Sequence, residues 1–313
     1  MKPMIILTGP TAAGKTSLSI RLAKEINGAV ISADSMQVYK KMDIGTAKIM
    51  PEEMEGVDHY LVDVLDPKDE FHVARFQQMA KEALECIYAK RQIPIIVGGT
   101  GFYIQALLYD IQFTDTKMDE SYRKELAKIA QEKGNHFLHE MLAKVDPAGA
   151  EAIHENNVKR VIRALEYYKE TGEPISVHNE RERNRVSPYR FAYFVLTHER
   201  PVLYDRINRR VDQMLEQGLV EEVKKLKEEG YDRSLVSMQG LGYKEIFRYL
   251  DGEISLEEAV YILKRDTRHF AKRQLTWFGR ERDVIMIEKQ KFENDDAILQ
   301  YMKKIIRDRG IVC

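Results

Sequence analysis

Cysteine is nearly absent: the chain of 313 residues has two, Cys86 and Cys313, which lie far apart. Two cysteines in a chain of this length form neither a disulfide scaffold nor a zinc site, so we expect free thiols and a cytoplasmic protein. Also lacking is any apolar run of about eighteen residues, the length that spans a bilayer, and we expect no membrane contact. The first residues, MKPMIILTGP, have no small-residue cleavage site and predict a buried strand rather than a signal peptide.

The chain also has almost no net charge, because 49 Lys and Arg residues balance 50 Asp and Glu residues to give −1 at pH 7. The total therefore favours neither a nucleic-acid partner nor its absence. Positive charge is nevertheless concentrated in residues 264–282, KRDTRHFAKRQLTWFGRER, which contain seven Lys or Arg residues but only two acidic residues. A basic segment with aromatic residues predicts contact with a polyanion. A solvated helix face would have the same composition, so both interpretations stay open.

A phosphate-binding loop is the strongest motif present. Residues 9–16, GPTAAGKT, match G-x-x-x-x-G-K-[ST] and stand between an apolar run at 4–8 and a helical pattern from Lys15. In such loops glycines let backbone N–H groups point at phosphate oxygens, and the helix N-terminus adds positive charge. Lys15 would supply a mobile cation and the Thr16 hydroxyl a ligand for Mg²⁺, the expected cofactor. The predicted phosphate site is Gly9, Pro10, Thr11, Ala12, Ala13, Gly14, Lys15 and Thr16.

Alternating strand and helix patterns surround this loop. Helices are predicted at 15–27 and 73–90, and short apolar runs predict further strands at 29–34, 57–64 and 93–99. Alternation of this kind implies a parallel sheet with helices on both faces. The fold class is therefore α/β, with a core like that of the phosphate-loop NTPases.

Residues 115–190 lack strand-like runs and predict an all-helical insertion domain, with helices at 119–133 and 157–171. The core would then consist of residues 1–114 and 191–313. In the second part we predict a strand at 191–197, helices at 201–217 and 219–229, and a capping box at 255–258 that opens the basic helix.

Two polar residues follow predicted strands and should face the loop, because strand C-termini line the active crevice of such sheets. Asp34 ends the second strand, and Thr100 follows the strand IPIIVGG. The latter strand ends in glycines, whereas an ATPase or GTPase has a Mg²⁺-binding Asp there. No guanine-reading motif and no arginine-rich lid are evident, so the phosphate that the loop binds stays open. The alternative is that Asp34 and Thr100 only stabilise the turns in which they lie.

The chain resembles the tRNA dimethylallyltransferases, also called tRNA isopentenyltransferases, over nearly its whole length. The resemblance rests on motifs in a fixed order: GPTAAGKT (9–16), DSMQVY (34–39), GTAK (45–48), GGTGFYI (98–104), RALE (163–166), RINRRVDQML (206–215), QGLGYKE (239–245) and TRHFAKRQLTWF (267–278). It lacks the C-terminal zinc finger of some eukaryotic relatives, so the bacterial type is the nearer match.

The resemblance implies transfer of the five-carbon group of dimethylallyl diphosphate to N6 of an adenosine beside the tRNA anticodon. The loop would then hold the donor's diphosphate. Arg206 and Arg210 match arginines of the family and, four residues apart on one helix face, become candidate diphosphate ligands. Asp34 would act as general base, and Thr100 would position the reacting atoms.

The acceptor implied by the resemblance is the anticodon stem-loop of a tRNA, bound by a monomer. Gln37 would hydrogen-bond the adenine edge. Trp277 and Phe278 would stack a base or belong to the core. The full set of candidate tRNA-binding residues is Asp34, Ser35, Met36, Gln37, Thr100, Lys159, Arg160, Arg163, Gly240, Lys244, Lys272 and Arg273.

Three alternatives remain at this point. An adenylate isopentenyltransferase would use the same donor with a free nucleotide, but it would need neither the helical insertion nor the basic helix. A phosphate-loop kinase for a small metabolite would need a lid and lack the glycine-rich strand end. A non-catalytic RNA-binding protein would not need an intact Lys15 and Asp34.

Overall fold

The computed structural model describes residues 1–113 and 119–312. The chain divides into two compact units, Met1–Leu108 with Pro188–Cys313, and Tyr109–Ser187. The sequence placed the insertion at 115–190. Its boundary after residue 114, like the Cys313 thiol, lies outside the described residues.

The first unit is built on a sheet of six parallel strands in the order β3-β2-β4-β1-β5-β6. The strands are β1 (Lys2–Thr8), β2 (Gly28–Ala33), β3 (His59–Tyr60), β4 (Ile93–Gly98), β5 (Tyr189–Thr197) and β6 (Val284–Glu288). The inner strands are nearly continuous apolar runs because helices cover both faces. The predicted parallel α/β fold is confirmed. Since all strands point the same way, the residues that follow β1, β2 and β4 meet at one edge.

Two strands differ from the prediction. The strand expected at 57–64 is reduced to β3, because Leu61 and Asp63 have φ values of 61° and 58°, which end the extended backbone. The edge strand β6 was not predicted. It has five residues, and Met286 within it is 44% exposed, so its pattern lacks the buried run of the inner strands.

Eight helices of the first unit are described: α1 (Lys15–Ile26), α2 (Val73–Ala89), α3 (Gly101–Leu108), α8 (Arg200–Glu216), α9 (Leu219–Glu228), α10 (Tyr243–Leu250), α11 (Leu256–Phe278) and α12 (Asp295–Asp308). Ser255 caps α11 by accepting a hydrogen bond from the Glu258 N–H, as the capping box predicts. The helices α3, α10 and α12 were not predicted from the sequence. The first of these is buried nearly all round, so it shows no polar face to reveal a helical period. In the described ranges no helix is long and apolar enough to cross a membrane.

The second unit contains only helices among its described residues: α4 (Glu120–Val145), α5 (Pro147–Ala152), α6 (Val158–Thr171) and α7 (Ile175–Arg183). Gly134 interrupts α4 with a φ of 86°, where the sequence predicted a stop. Leucines of α4 pack on the apolar face of α6. The buried Asp146 carboxylate caps α5 through the Gly149 N–H at 2.8 Å and accepts a second hydrogen bond from the Ser176 N–H at 3.0 Å.

Candidate active site

The phosphate loop joins β1 to α1 at the centre of the sheet edge. Gly9 has a φ of 144°, and a Cβ on it would lie 2.3 Å from the Leu196 carbonyl oxygen of β5. Gly14 has a φ of 86° and forms the N-cap of α1. Both glycines of the motif are therefore required by the backbone. They direct the loop around the N-terminus of α1, whose free N–H groups favour an anion.

Lys15 is folded onto its own loop. Its Nζ donates to the carbonyl oxygens of Gly9 at 3.0 Å and Pro10 at 2.8 Å. Burial and, to a smaller extent, the positive charge of Arg210 together lower the pKa of Lys15 to about 8, and the Asp34 carboxylate opposes this shift. A bound anion would favour the charged ammonium and raise this pKa again. The protonation of Lys15 is therefore coupled to anion binding.

Helix α8 brings both predicted arginines to the loop. The Arg206 Nε donates to the Ala12 carbonyl oxygen at 2.8 Å, and the Arg210 Nη1 lies 3.5 Å from the Thr11 hydroxyl. Burial lowers the pKa of Arg210, the Asp34 carboxylate raises it, and the Arg206 charge lowers it. Positive charge is thus concentrated on one side of the loop.

Asp34 and Thr100 lie beside each other at the same edge. The Thr100 N–H donates to the Ala33 carbonyl oxygen at 3.2 Å, because Ala33 pairs with Gly98 across β2 and β4. The Asp34 Oδ1 accepts from the N–H of Met36 at 2.8 Å and of Gln37 at 3.3 Å, which leaves Oδ2 without a hydrogen bond from any described residue. One carboxylate oxygen thus holds a turn while the other is available for chemistry.

Gln274 of α11 ties the two glycine loops together. Its Oε1 accepts from the Thr11 N–H at 2.9 Å, and its Nε2 donates to the Gly99 carbonyl oxygen at 2.9 Å. The sequence did not single out Gln274, although this residue lies within the family motif TRHFAKRQLTWF. A polar residue at a buried position of an amphipathic helix was the available signal.

Replacing Gln274 with leucine is expected to lower the free energy of unfolding by about 1–3 kcal/mol, because two backbone groups lose their partners in a buried place. Gln274 is 6% exposed. Urea unfolding checks this, with Gln300→Leu on the exposed face of α12 as the control. A loss below about 0.5 kcal/mol, the range of ordinary surface changes, would contradict the role.

The glycines after β4 also admit the aromatic end of α11. A Cβ on Gly101 would lie 2.2 Å from the Trp277 Cδ1, so the indole packs directly on the start of α3. Phe102 contacts the same indole edge-on, with ring centroids 6.2 Å apart. Phe278 is 0% exposed, so the suggestion that it stacks a base is wrong and it belongs to the core. Trp277 is half-buried and remains a wall of this region.

Residues 34–48 form a loop that is anchored by hydrogen bonds to a side chain of helix α9. The Glu222 carboxylate of α9 accepts backbone N–H bonds from Asp43 at 2.9 Å, Ile44 at 2.7 Å and Gly45 at 3.1 Å. It also accepts the Tyr243 hydroxyl at 2.7 Å. This anchor was not foreseen, because an acidic residue in a charged helix is an ordinary surface residue by sequence alone.

The same loop fixes the amide of Gln37. Its Nε2 donates to the carbonyl oxygens of Ala47 at 3.0 Å and Thr46 at 3.4 Å. Because the Nε2 is engaged in this way, the amide offers its Oε1 to a ligand. Gly240 packs against the Met36 methyl, and Lys244 pairs with its neighbour Glu245 at 3.4 Å. Ser35 is half-buried in the same stretch.

The basic segment is partly neutralised. Lys264 pairs with Asp212 at 2.5 Å, and Arg265 pairs with Asp266 at 2.8 Å. Lys272 and Arg273 are exposed on α11. In the second unit, Lys159 and Arg160 are exposed on α6, and Arg163 is half-buried there. The candidate polyanion contacts therefore belong to two units, and only the first of these units holds the phosphate loop.

A cavity of about 1150 Å³ opens beside the loop and is lined by Lys15, Thr16, Arg206, Arg210 and residues of the 43–55 segment. Within residues 1–113 and 119–312, no group of three His, Cys, Asp or Glu side chains is arranged to hold a metal ion. Thr16 is exposed in the first turn of α1 and reaches the cavity. One hydroxyl fits Mg²⁺ of the kind that keeps its waters and binds mainly through substrate phosphates.

Residues 37–281 match the model of a family described as IPP transferase. A tRNA dimethylallyltransferase of Lachnoclostridium phytofermentans is 64% identical over 312 residues, which is 100% of both chains. Another, of Acetivibrio thermocellus, is 53% identical over 311 residues and 99% of both chains. These relatives span the phosphate loop as well as the matched family region.

Solved structures of enzymes with related names are also similar to this chain. The tRNA isopentenylpyrophosphate transferase of Bacillus halodurans is 45% identical, with a TM-score of 0.73, over 99% of this chain and 98% of that one. A eukaryotic dimethylallyltransferase acting on tRNA is 30% identical, with a TM-score of 0.82, over 99% of this chain and 80% of that one.

Proposed function

Because this chain belongs to the IPP transferase family, whose relatives are tRNA dimethylallyltransferases, we propose that it transfers a dimethylallyl group to tRNA. The donor is dimethylallyl diphosphate, and the acceptor is N6 of an adenosine adjacent to the anticodon. The new bond joins the allylic carbon to N6. The allylic C–O bond breaks, its electron pair leaves with diphosphate, and N6 loses a proton.

One observation carries the chemical part of this proposal. The loop with its half-buried lysine and arginine lies at the same sheet edge as Asp34, whose charge acts on the pKa of both Lys15 and Arg210. An anion-binding site and a general base therefore stand side by side. At the end of β4, where a nucleotide-hydrolysing enzyme has a Mg²⁺-binding carboxylate, this chain has glycines and Thr100.

The diphosphate is the group that gains charge as the bond breaks. Lys15, Arg206 and Arg210 stabilise it, together with the N–H groups at the start of α1. Mg²⁺, when bound through the Thr16 hydroxyl, neutralises part of the diphosphate charge. No step requires hydrolysis of a nucleotide.

The exocyclic amine of adenine is a weak nucleophile, and Asp34 accepts its proton through the oxygen that the turn does not use. Such general-base help contributes about 10²–10⁴-fold in rate. Thr100, one residue before α3, positions the reacting atoms beside Asp34. The Gln37 Oε1 accepts a hydrogen bond from the adenine edge, since the Nε2 of this amide is engaged by Ala47.

The target base must leave its stack to reach this edge, at a cost of a few kcal/mol that is smallest in a loop. The anticodon stem-loop supplies phosphates to the exposed Lys272 and Arg273 and, on the second unit, to Lys159, Arg160 and Arg163. Ser35, Met36, Gly240 and Lys244 shape the surface around the base. Free AMP has no stem-loop to engage these cations, which favours tRNA over the nucleotide acceptor.

Transfer of labelled dimethylallyl diphosphate to unmodified tRNA tests the proposal, with AMP as a parallel acceptor and ATP as a competitor. We expect label in tRNA alone, retained in excess ATP. Label in AMP would assign the protein to the adenylate-prenylating enzymes. ATP turnover without transfer to either acceptor would contradict the proposal and favour a kinase.

A further inference from the structure

Lys289 lies in the turn between β6 and α12, outside residues 37–281 that match the family model. Its side chain is only 14% exposed, and its Nζ pairs with the Asp295 Oδ1 at 2.7 Å. A nearly buried lysine in a connecting turn loses much of its hydration, so its place in the fold calls for a reason.

The lysine reaches the phosphate loop. A Cβ placed on Gly14 would lie 3.2 Å from the Lys289 Nζ and 3.8 Å from an Nη atom of Arg206. Gly14 is the N-cap of α1, directly before Lys15. Two cationic groups from distant parts of the chain therefore converge where the N–H groups of the loop begin.

The two cations act on a common neighbour, His198. Burial lowers the pKa of the nearby His198, and the charges of Arg206 and Lys289 lower it further, so both cations act on the same region. Arg206, His198 and Lys289 also line a cavity of about 320 Å³ next to the loop, and the acidic residues Glu199, Glu293 and Asp295 line it too. Asp295 is the one carboxylate in contact with the Lys289 ammonium among the described residues, and Arg206 has none. Like charges held together in this way are stabilised by an anion.

We propose that Lys289 is a further donor-binding residue, which contacts the diphosphate held by the phosphate loop and exchanges part of its contact with Asp295 for it. The inference rests on the proposed function, since it assigns the diphosphate of that reaction. It gives the β6–α12 turn, which lies beyond the matched family region, a share in the donor site.

Lys289→Gln tests this by calorimetric binding of inorganic diphosphate and by steady-state transfer. Loss of one charge-assisted contact is expected to raise the Kd for diphosphate, and the KM for dimethylallyl diphosphate, about tenfold. The KM for tRNA should stay unchanged. Lys289→Arg, which keeps the charge, should stay within about threefold of the unaltered protein. Lys291→Gln is the matched control, because Lys291 is two residues away, exposed and paired with Glu288.

The alternative is that Lys289 only stabilises the fold through its ion pair with Asp295. A second variant distinguishes this structural role from donor binding. Asp295→Asn removes the pair but leaves the lysine, so we expect diphosphate affinity to be unchanged or higher. Asp296→Asn controls for the lost negative charge in the first turn of α12. If Lys289→Gln leaves the Kd for diphosphate unchanged, or if Asp295→Asn weakens binding as much as Lys289→Gln does, the proposal is wrong.

The two proposals fail in different ways. If diphosphate binding depends on Lys289 but no dimethylallyl group is transferred to tRNA, the proposed function is refuted. The role of Lys289 in anion binding would then still stand. Transfer to tRNA with a normal KM in Lys289→Gln would refute the role of Lys289 alone. If the unaltered protein binds no diphosphate, both are refuted.

Discussion

Asp34→Asn is expected to lower kcat for dimethylallyl transfer by about 10²–10⁴-fold, because the amide cannot take the proton of N6. Asparagine keeps an oxygen that can accept the Met36 N–H, so the turn after β2 should persist. Binding of a non-reactive alkyl diphosphate should be unchanged or slightly tighter, since a negative charge next to Lys15 and Arg210 is removed. Single-turnover transfer and calorimetry measure the two quantities separately.

Glu52→Gln is the matched control for Asp34. Glu52 is exposed, lines the cavity beside the phosphate loop and would lose the same charge. Its kcat should stay within about twofold, as for other surface changes. If Asp34→Asn also retains kcat within that range, Asp34 serves only its turn and another group must accept the proton.

Lys15→Gln is expected to weaken binding of the alkyl diphosphate by about 10²-fold, since a half-buried charged donor to the phosphates is lost. The binding of the unaltered protein should also depend on pH. Its Lys15 has a pKa of about 8, so above this pH the bound anion must recharge the lysine by proton uptake. The Kd should then rise by up to about tenfold per pH unit above this pKa, and it should be flat with respect to this group below it.

Lys15→Arg provides the control for this pH dependence, because a guanidinium stays charged throughout the range. Its Kd should be independent of pH between pH 8 and 9 even if it is higher overall. The pH dependence of folding stability should have the opposite sign to that of binding. A rise in pH weakens anion binding but stabilises the ligand-free fold. Burial lowers the pKa of Lys15 from 10.5 to about 8, so between these values the unfolded chain binds more protons and stability without ligand rises with pH. A Kd that is equally flat for both proteins would contradict the coupling.

Local patterns were sufficient for the inner strands, for the helices next to them and for the phosphate loop. Their hydrophobic periods are strong, and Gly9 and Gly14 are explained by backbone angles that few other residues adopt. The family resemblance drawn from eight short motifs is confirmed by the matched model and by relatives that cover the whole chain. By contrast, β3 and β6 lie at sheet edges, where partial exposure weakens the pattern.

Contacts between distant residues were not readable in the same way. Gln274 holds Thr11 across 263 residues, and Glu222 holds Asp43 across 179. Lys289 reaches Gly14 from the far end of the chain. Nothing in the local sequence marks such pairs, because each partner alone is an ordinary glutamine, glutamate or lysine.

The sequence by itself therefore determined the phosphate loop and singled out Asp34 and Thr100 as candidates, because these depend on residue types at fixed local spacing. The reaction class came from the resemblance of its motifs to a known family. Only the tertiary structure decided how these residues are used. It showed which oxygen of Asp34 is available, that the Gln37 amide offers its oxygen, and that Phe278 is buried. It also brought Lys289 to the phosphate loop. The reason is that hydrogen-bond partners, burial and local charge are set by elements packed from both ends of the chain, and these three properties fix side-chain orientation and pKa.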